Sequence, residues 1–544
     1  MSHYTLTSID TTGIQNYIFG SNALRENIGA SQLVERAIGM WLEDALPKLH
    51  NFDNATINDA QRIEDAAVLR AEVIMRGGGN ALILFREHGD AVDTIKRLSR
   101  RLLCEAPGLE MAVAHLDFDW NQDALGCGDG VINRLAAAVN RCKQQRAPSA
   151  AVFSPAVLAE CRATRQPAVD LDQANKLVSA EIQTKLSESL QAEAEQRFDD
   201  LFTSVISDIY TFERDVEKMT ADHDRSHLAV IHADGNGIGQ RFIELLKDFS
   251  SAGQNRACLV ALRDLSQKIA NAGEHALCKT LVRLERSFQN KQMERYVSGL
   301  KRDERQRIIM PFRPLVFGGD DVTFVCDGRL GLGLAAIFLE EFERAAVDLP
   351  YGGAAHACAG VVIFKTHYPF ARAYDLCAEL CKQTKVALRK AELKGSSGLD
   401  WHIAMSGISG EITGIRQREY QLSNGDQLTM RPLSLRAPGI EQPWRNWEAF
   451  ATLAEAFGAG KSDDELKRIS GVLPRSKVKA LREALRGGSV NSQAFINTAN
   501  IQLPEVLGGD EHLQRTGWAG KHCGYFDVIE ALDFYLPVDR MEVH

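Results

Sequence analysis

The stretch that decides the fold reads RPLVFGGDDVTFVCDG, residues 313–328. Two apolar runs flank a Gly-Gly-Asp-Asp sequence, which is typical of a β-hairpin. A two-residue hairpin turn favours Asn-Gly or Asp-Gly, whereas here Asp320 and Asp321 follow the glycines and open the second strand. Two adjacent carboxylates repel each other at neutral pH unless a cation lies beside them. The stretch is therefore either an exposed turn or a metal site.

A second hairpin of the same kind lies earlier in the chain. Residues 71–85, AEVIMRGGGNALILF, have apolar runs on both sides of a glycine cluster. Around each hairpin the pattern predicts the order strand, helix, hairpin, helix, strand. The first set starts at Tyr4–Asp10 and closes at Glu110–Leu116, and the second starts in HLAVIHADGNGIG and closes near Ala355–Val361. The sequence therefore predicts two related units.

The two hairpins differ at their turns. Aligning the glycines places Gly79 and Asn80 of the first hairpin against Asp320 and Asp321 of the second. Because the same turn is predicted without acids, turn formation does not explain the two aspartates. Metal binding is therefore favoured over an exposed hairpin tip.

Asp234 is the third candidate acid, at the end of the strand that opens the second unit. If that strand neighbours the hairpin, Asp234, Asp320 and Asp321 meet at one edge of a sheet. Proteins usually hold Mg²⁺ with one or two carboxylates, and substrate phosphates and water complete the coordination. Glycine-rich turns let backbone N–H groups approach phosphate oxygens. The residues predicted to contact the nucleotide through these turns are Gly235, Asn236, Gly237, Gly239, Gly318 and Gly319.

A basic helix follows the second unit's closing strand. Its sequence, PFARAYDLCAELCKQTKVALRKAELK, carries Lys382, Lys385 and Arg389 at helical spacing, which gives one basic face. Such a face suits a triphosphate, and Lys382 and Lys385 are the predicted phosphate ligands. Cys377 and Cys381, on the same helix, are interpreted as small apolar residues on a buried stripe.

Composition narrows the class of protein. A net charge of −9 argues against a chain that coats nucleic acid through bulk electrostatics, although basic stretches at Arg283–Arg307 and Arg475–Arg486 permit an RNA partner. The eleven cysteines form no CxxC pair, so neither a disulfide framework nor a zinc ribbon is indicated. The sequence shows no secretory signal pattern and no long apolar run, so it predicts a cytoplasmic protein with no membrane partner.

With 544 residues the chain is long enough for three or four domains. We expect an α/β unit without the acid pair over residues 1–120 and the acid-bearing unit over 226–410, with a helical insertion at about 250–308. Residues 121–225 are predicted to form a helical linker and 411–544 a C-terminal helical domain. The predicted fold class is α+β.

These residues resemble the palm-domain polymerase subunit of type III CRISPR effector complexes, whose catalytic fold is shared with GGDEF diguanylate cyclases and class III nucleotide cyclases. The resemblance rests on HADGNGIG around Asp234, FGGDD at 317–321, CAGVVIFKTHYP at 358–369, and Thr384-Lys385, where the family usually shows Ala-Lys. The early segment GIQNYIFGSNALRENIGASQLVE also resembles the family's first palm.

The resemblance covers roughly residues 4–120 and 225–408 and carries several implications. It implies two ferredoxin-like palms with antiparallel sheets and an ATP under each. It implies a Mg²⁺- or Mn²⁺-dependent nucleotidyltransferase that forms 3′–5′ bonds, releases pyrophosphate and makes cyclic oligoadenylate messengers in antiviral defence. Asp234, Asp320 and Asp321 would be the catalytic metal ligands. The first palm, without the acid pair, would mainly hold the second nucleotide.

Two other functions remain open at this stage. The chain could be a scaffold subunit that binds RNA and RAMP-type protein subunits and whose nucleotide site is only regulatory. It could also be a diguanylate cyclase-like enzyme that uses GTP. Base preference, ring size of the product, the activating signal and formation of a homo-oligomer are not fixed by the sequence.

Overall fold

The structure of the chain is a computed structural model that describes residues 3–53, 56–64, 69–145, 158–212, 219, 227–290, 293–404, 410–461 and 472–538. The chain divides into two compact units. The first unit comprises Met1–Asp200, Gly237–Ala272 and Asp348–Gly353. The second comprises Leu201–Asn236, Gly273–Val347 and Ala354–His544. The four-segment division remains a prediction, and parts of the predicted linker, namely 146–157, 213–218 and 220–225, lie outside the described residues.

Helices and strands alternate along the described chain. The strands are β1 (His3–Thr12), β2 (Phe52–Asp53), β3 (Thr56–Ile57), β4 (Ala71–Gly77), β5 (Asn80–Phe85), β6 (Glu110–Asp119), β7 (Asp170–Leu171), β8 (Leu177–Val178), β9 (Tyr210–Thr211), β10 (His227–Gly235), β11 (Ile308–Ile309), β12 (Phe312–Phe317), β13 (Val322–Asp327), β14 (Ala357–Lys365), β15 (Gly398–Ala404), β16 (Leu433–Ser434), β17 (Trp518–Ala519) and β18 (His522–Cys523).

The α-helices connect these strands and make up most of the C-terminal part. They are α1 (Ile14–Phe19), α2 (Leu24–Ile38), α3 (Met40–Ala45), α4 (His88–Glu105), α5 (Val131–Gln145), α6 (Ala180–Lys185), α7 (Glu188–Phe202), α8 (Ile238–Lys247), α9 (Asn255–Phe288), α10 (Glu294–Ser298), α11 (Gly331–Ala345), α12 (Phe370–Lys390), α13 (Ile412–Glu419), α14 (Trp447–Ala456), α15 (Arg475–Arg486), α16 (Gly488–Thr498), α17 (Glu511–Thr516) and α18 (Phe526–Ala531).

The first unit contains a four-stranded antiparallel sheet in the order β4-β5-β1-β6. Helices α4 and α5 pack against it. On α4 the residues Ala91, Leu98 and Leu102 are buried at helical spacing, while the intervening positions are mostly polar. This sheet with its helices is called the first palm below. It has the predicted order of strand, helix, hairpin, helix and strand.

The second unit contains a six-stranded sheet in the order β12-β13-β10-β14-β15-β16. Its pairs are antiparallel except β14–β15, which is parallel. Helices α11 and α12 pack against this sheet, which with them is called the second palm. The structure confirms the α+β class with two palms of the predicted element order. Strands β15 and β16 extend the second sheet beyond the strands that the sequence predicted.

Helices also occupy much of residues 255–298 and of the C-terminal part of the described chain. The insertion consists mainly of α9, a single helix of 34 residues, and the shorter α10. From α14 onward the described chain is mostly helical, with one two-stranded hairpin formed by β17 and β18. Within the described residues, no helix combines the length and the apolar character that crossing a membrane requires.

Candidate functional site

Strand β10 brings Asp234 to the same sheet edge as the Gly-Gly-Asp-Asp turn. It pairs with β13 in antiparallel register, and the last pair before the turn is Ala233 with Val322. Extending this ladder by one position sets Asp234 opposite Asp321. On its other side Asp234 pairs with Cys358 of β14. The predicted meeting of the strand-end acid with the hairpin acids is therefore confirmed.

Helix α12 lies close against this sheet because of Gly360 in β14. A Cβ at Gly360 would be 2.0 Å from the Cys377 carbonyl oxygen, so only glycine permits this approach. The Cys377 thiol donates to the Gly360 carbonyl at 3.0 Å, and the Cys381 thiol donates to the Cys358 carbonyl at 3.1 Å. Both cysteines are buried, as interpreted from the sequence. Their packing fixes α12 so that its next turn reaches the end of β10.

Lys385 is the basic residue that this packing delivers to the acids. Its Nζ donates to Asp234 Oδ2 at 2.6 Å and to the Gly235 carbonyl at 2.7 Å. The Asp234 side chain is 42% exposed, whereas that of Lys385 is only 18% exposed. The ammonium is thus held by α12 beneath a carboxylate that still faces solvent.

Asp320 carries the clearest electrostatic signature of the site. Burial and, after it, the nearby Asp234 and Asp321 together raise the pKa of its carboxyl to about 6, against a smaller lowering by Lys385. Three carboxylates therefore share one region with a single lysine. The excess of negative charge favours a cation at this edge of the sheet.

His232 joins the site from below Asp321. Its Nδ1 lies 3.4 Å from Asp321 Oδ1 and 3.2 Å from Thr323 Oγ1, and its ring packs edge-on against Tyr374 at 5.5 Å. His232 is not among the residues that the sequence patterns predicted for the site. The signal was present, because alternate residues of a strand share a face and His232 precedes Asp234 by two positions.

The acid set fits a divalent cation in the way that proteins usually bind Mg²⁺. Carboxylates are hard oxygen ligands, and the Asp321 side chain is 41% exposed, so the edge is open to a substrate. Among the described residues, no group of three or more His, Cys, Asp or Glu side chains is assembled for a metal. The arrangement suits one or two protein carboxylates, with phosphate oxygens and water as the remaining ligands.

The predicted nucleotide-binding residues fall in three places. Gly235 ends β10, and Gly319 forms the hairpin turn beside Gly318 with φ +100°, a conformation that favours glycine. The Asn236 side chain donates to the Ser396 carbonyl at 3.3 Å, and its backbone N–H donates to the His356 carbonyl at 2.7 Å. Asn236 thus holds the loop that follows the strand.

The other residues predicted to bind the nucleotide are Gly237, Gly239 and Lys382, and no contact joins them to the three acids in the described structure. Gly237, with φ +68°, caps the N-terminus of α8, and Gly239 lies in its first turn; both belong to the first unit. Lys382 is exposed on α12, one turn before Lys385. The nucleotide-binding roles of these residues remain predictions.

The first palm repeats much of this arrangement. Asp10 pairs with Asn80 in the ladder of β1 and β5. Lys143 of α5 donates to Asp10 Oδ2 at 2.6 Å, as Lys385 does to Asp234 in the second palm. Lys143 is not among the residues that the sequence patterns predicted. The turn of the first palm carries Gly79 and Asn80 in place of the acid pair.

Comparisons with known proteins show the fold. No protein-family model matches the sequence, and no curated protein matches it. Among solved structures, a chain of a "Csm1-Csm4 cassette in complex with one ATP" aligns with 98% of this chain and 70% of its own length, at TM-score 0.52 and 14% identity. The cassette "in complex with cA4" aligns over the same shares at TM-score 0.50 and 14% identity.

A third similar structure is a subcomplex of a larger assembly. The "Csm1-Csm4 subcomplex in the type III-A CRISPR-Csm interference complex" aligns with 98% of this chain and 70% of its own length, at TM-score 0.51 and 15% identity. At such identity the likeness shows the fold alone. The chain has the palm-domain fold of these type III-A CRISPR-Csm structures, as the sequence motifs predicted.

Proposed function

We propose that this chain is a metal-dependent nucleotidyltransferase that joins ATP through 3′–5′ bonds, with release of pyrophosphate, into cyclic oligoadenylate. The observation that carries the proposal is the set of Asp234, Asp320 and Asp321 at one sheet edge, with Lys385 Nζ 2.6 Å from Asp234. A phosphoryl-transfer site needs negative ligands for metal and positive charge for phosphate, and this edge offers both. Antiviral defence is the setting in which we place this activity.

Each group has a distinct part in the proposed reaction. Asp234 and Asp321, both partly exposed, would hold Mg²⁺ or Mn²⁺, and Asp320 would complete the ligand set or orient it. When bound, the metal supplies the charge that activates an attacking 3′-hydroxyl and stabilises the leaving pyrophosphate. Lys385 would neutralise the triphosphate, and the backbone N–H groups after Asp234 would contact its oxygens.

ATP is the proposed substrate because solved structures of similar fold contain adenine nucleotides. Similar solved structures are complexes with ATP, AMPPNP, pppApA and cA4. The first palm, with Asp10 and Lys143 but no acid pair, would hold the second nucleotide rather than the metals. A GTP-using enzyme of the diguanylate cyclase kind is the alternative, and competition between labelled ATP and GTP separates the two.

Incubation with labelled ATP and Mg²⁺ or Mn²⁺ tests the proposal. Pyrophosphate release and a mass spectrum of the products from mixed nucleotides are measured, with and without activating nucleic acid. We expect adenylate products from the wild type and from Asp129→Asn, an exposed control, and none from Asp320→Ala/Asp321→Ala. Absence of product from the wild type under every condition, or equal product from the double variant, would refute the proposal.

A second candidate, a scaffold subunit with a regulatory nucleotide site, is favoured by one surface. Helix α15 buries Val478, Leu481 and Leu485 and exposes Lys479 and Arg486. The other basic stretch is less available, because Arg283 pairs with Glu340 and Glu341 and Arg307 pairs with Asp303. Co-purification of RNA and RAMP-type subunits with a chain that makes no product would support the scaffold function.

A further inference from the structure

Helix α9 touches the Gly-Gly-Asp-Asp turn through a glycine. A Cβ added at Gly273 would lie 1.8 Å from the Gly319 carbonyl oxygen and 3.0 Å from its carbonyl carbon. Neither distance can accommodate a side chain, so helix backbone and turn backbone are in direct contact. Glycine within a helix is less favourable than alanine, so the chain accepts a local penalty at this position.

The contact extends from the turn to the strand behind it. The same Cβ would also approach Val322 Cγ2 at 3.8 Å, and Val322 is the fully buried first residue of β13. Val322 directly follows the two acids. A shift of α9 at Gly273 therefore acts on the backbone of Gly319, immediately before Asp320 and Asp321, and on the side chain of Val322, immediately after them.

Within the second unit, α9 is firmly held beyond Gly273. The Ser207 backbone N–H donates to Glu285 Oε1 at 3.0 Å. Arg283 Nη1 donates to Glu340 and to Glu341, each at 2.8 Å. Glu285 and Glu341 are both largely buried, so these bonds are shielded from water. This half of α9 is therefore a fixed support against which the turn rests.

The first palm holds its turn in another way. There the Thr11 backbone N–H donates to the Gly79 carbonyl at 2.9 Å, and the Thr11 hydroxyl also donates to it. Thr11 follows Asp10 as Gly235 follows Asp234, and glycine has no hydroxyl to offer. The side-chain tie of the first turn is thus replaced in the second palm by the contact with α9.

We infer that Gly273 is a positioning residue: by letting the turn 318–321 pack directly on α9, it sets the position of the turn and thereby of Asp320 and Asp321. The insertion helix α9 then controls the acid site from outside the palm sheet. The inference rests on the proposed function for its effect on activity. The contact itself is independent of that function and is tested separately.

The test compares Gly273→Ala with Glu274→Ala, a control at the adjacent, exposed position of the same helix. Mn²⁺ affinity is measured by electron paramagnetic resonance, and hydrogen exchange is measured over residues 316–322. Residues that support metal ligands typically affect metal affinity by about 10–100-fold, so we expect Gly273→Ala to weaken Mn²⁺ binding by about 10-fold. Exchange in the turn should rise, and turnover of ATP should fall with little change in KM.

Alanine is a better helix former than glycine, so Gly273→Ala should not unfold α9, and a measurement of the melting temperature checks this. If this variant does not fold, Glu285→Ala replaces it, because it releases the support of α9 without a clash; we expect the same changes at smaller size. Unchanged exchange and unchanged Mn²⁺ affinity in the folded variant would overturn the inference. A wild type without turnover would refute the proposed function, whereas turn exchange would still decide the role of Gly273.

Discussion

The hairpin of the first palm bulges between Val73 and Met75, and the hairpin of the second bulges between Pro314 and Val316. In each case the bulge begins four residues before the first glycine of the turn. A β-bulge is a specific feature of strand pairing, and its recurrence at the same place marks the two hairpins as copies of one design. At the turn itself, Gly79 and Asn80 of the first hairpin stand against two aspartates of the second.

This difference separates what the fold needs from what the chemistry needs. The first turn closes without acids, held by Thr11. The second turn bears carboxylates whose mutual repulsion raises the pKa of Asp320 beyond the effect of burial alone. Charge that costs stability and adds nothing to the turn is explained by a ligand. The lysine–aspartate pair, in contrast, is common to both palms and is explained by a task that both share, such as holding a phosphate.

The largest expected effect comes from making the second turn resemble the first. Removing a preorganised electrostatic group from a catalytic site costs about 10²–10³-fold in turnover, so Asp320→Asn/Asp321→Asn should lose at least that much. Asn80→Ala in the first palm should change turnover far less. Pyrophosphate release measures both. Comparable losses in the two variants would end the distinction between the palms.

The two lysines should differ in degree and in kind. A charge-assisted hydrogen bond is worth about 1.5–3 kcal/mol, or about 10–100-fold. For Lys385→Ala we expect a loss of activity near the upper end of this range, seen as a lower kcat, because the Lys385 ammonium lies beside the proposed metal-binding acids. For Lys143→Ala we expect a loss of activity near the lower end of this range, seen mainly as a higher KM for ATP. Steady-state kinetics that show the reverse order would contradict the assignment of roles.

Loosening the first turn is expected to have a smaller effect. Thr11→Val removes the hydroxyl that donates to the Gly79 carbonyl and keeps the shape of the side chain. Loss of a buried hydrogen bond costs about 1 kcal/mol, so amide exchange over residues 77–80 should rise by about fivefold. Exchange over 318–321 serves as the internal reference. If residues 77–80 exchange at the wild-type rate, Thr11 does not hold the turn.

The smallest effect concerns stability and pH. Since the folded protein raises the Asp320 pKa above its unfolded value, ionised Asp320 destabilises the fold above about pH 6, and this penalty is relieved as pH falls toward 4. With chelator present, Asp320→Asn should melt a few degrees above the wild type at pH 7.5, and the gap should narrow by about half at pH 5 and close near pH 4. Added Mg²⁺ should also narrow it. A gap independent of pH would argue against the charge excess.

The sequence revealed the repeated hairpins because turn residues and apolar alternation are local signals. The alignment of the closing strands of the two palms could also be predicted from the sequence, to within one residue. The structure pairs Asp10 with Ala112 and Asp234 with Cys358, so the closing strands align one residue away from the sequence-based alignment. Continuing that alignment into the following helix sets Asn140 opposite Lys385, three positions before Lys143, so only the folded chain shows that Lys143 takes the place of Lys385.

Other features left no local signal. Strand β15 is short and pairs in parallel with β14, an arrangement set by the intervening α12 rather than by its own pattern. The contact of Gly273 with Gly319 joins two backbones 46 positions apart, and a single glycine in a helical sequence does not say what it faces. The Asp320 pKa likewise depends on neighbours that only the folded chain assembles.

The central claim is that metal binds at the acid-bearing turn of the second palm and not at its acid-free copy. Anomalous X-ray scattering from crystals grown with Mn²⁺ and a non-hydrolysable ATP analogue tests it directly. We predict Mn²⁺ peaks in contact with the carboxylates of Asp234, Asp320 or Asp321, and none of comparable height between Asp10 and Asn80. Absence of peaks at the three acids while the nucleotide is bound, or equal peaks at both turns, would contradict the account.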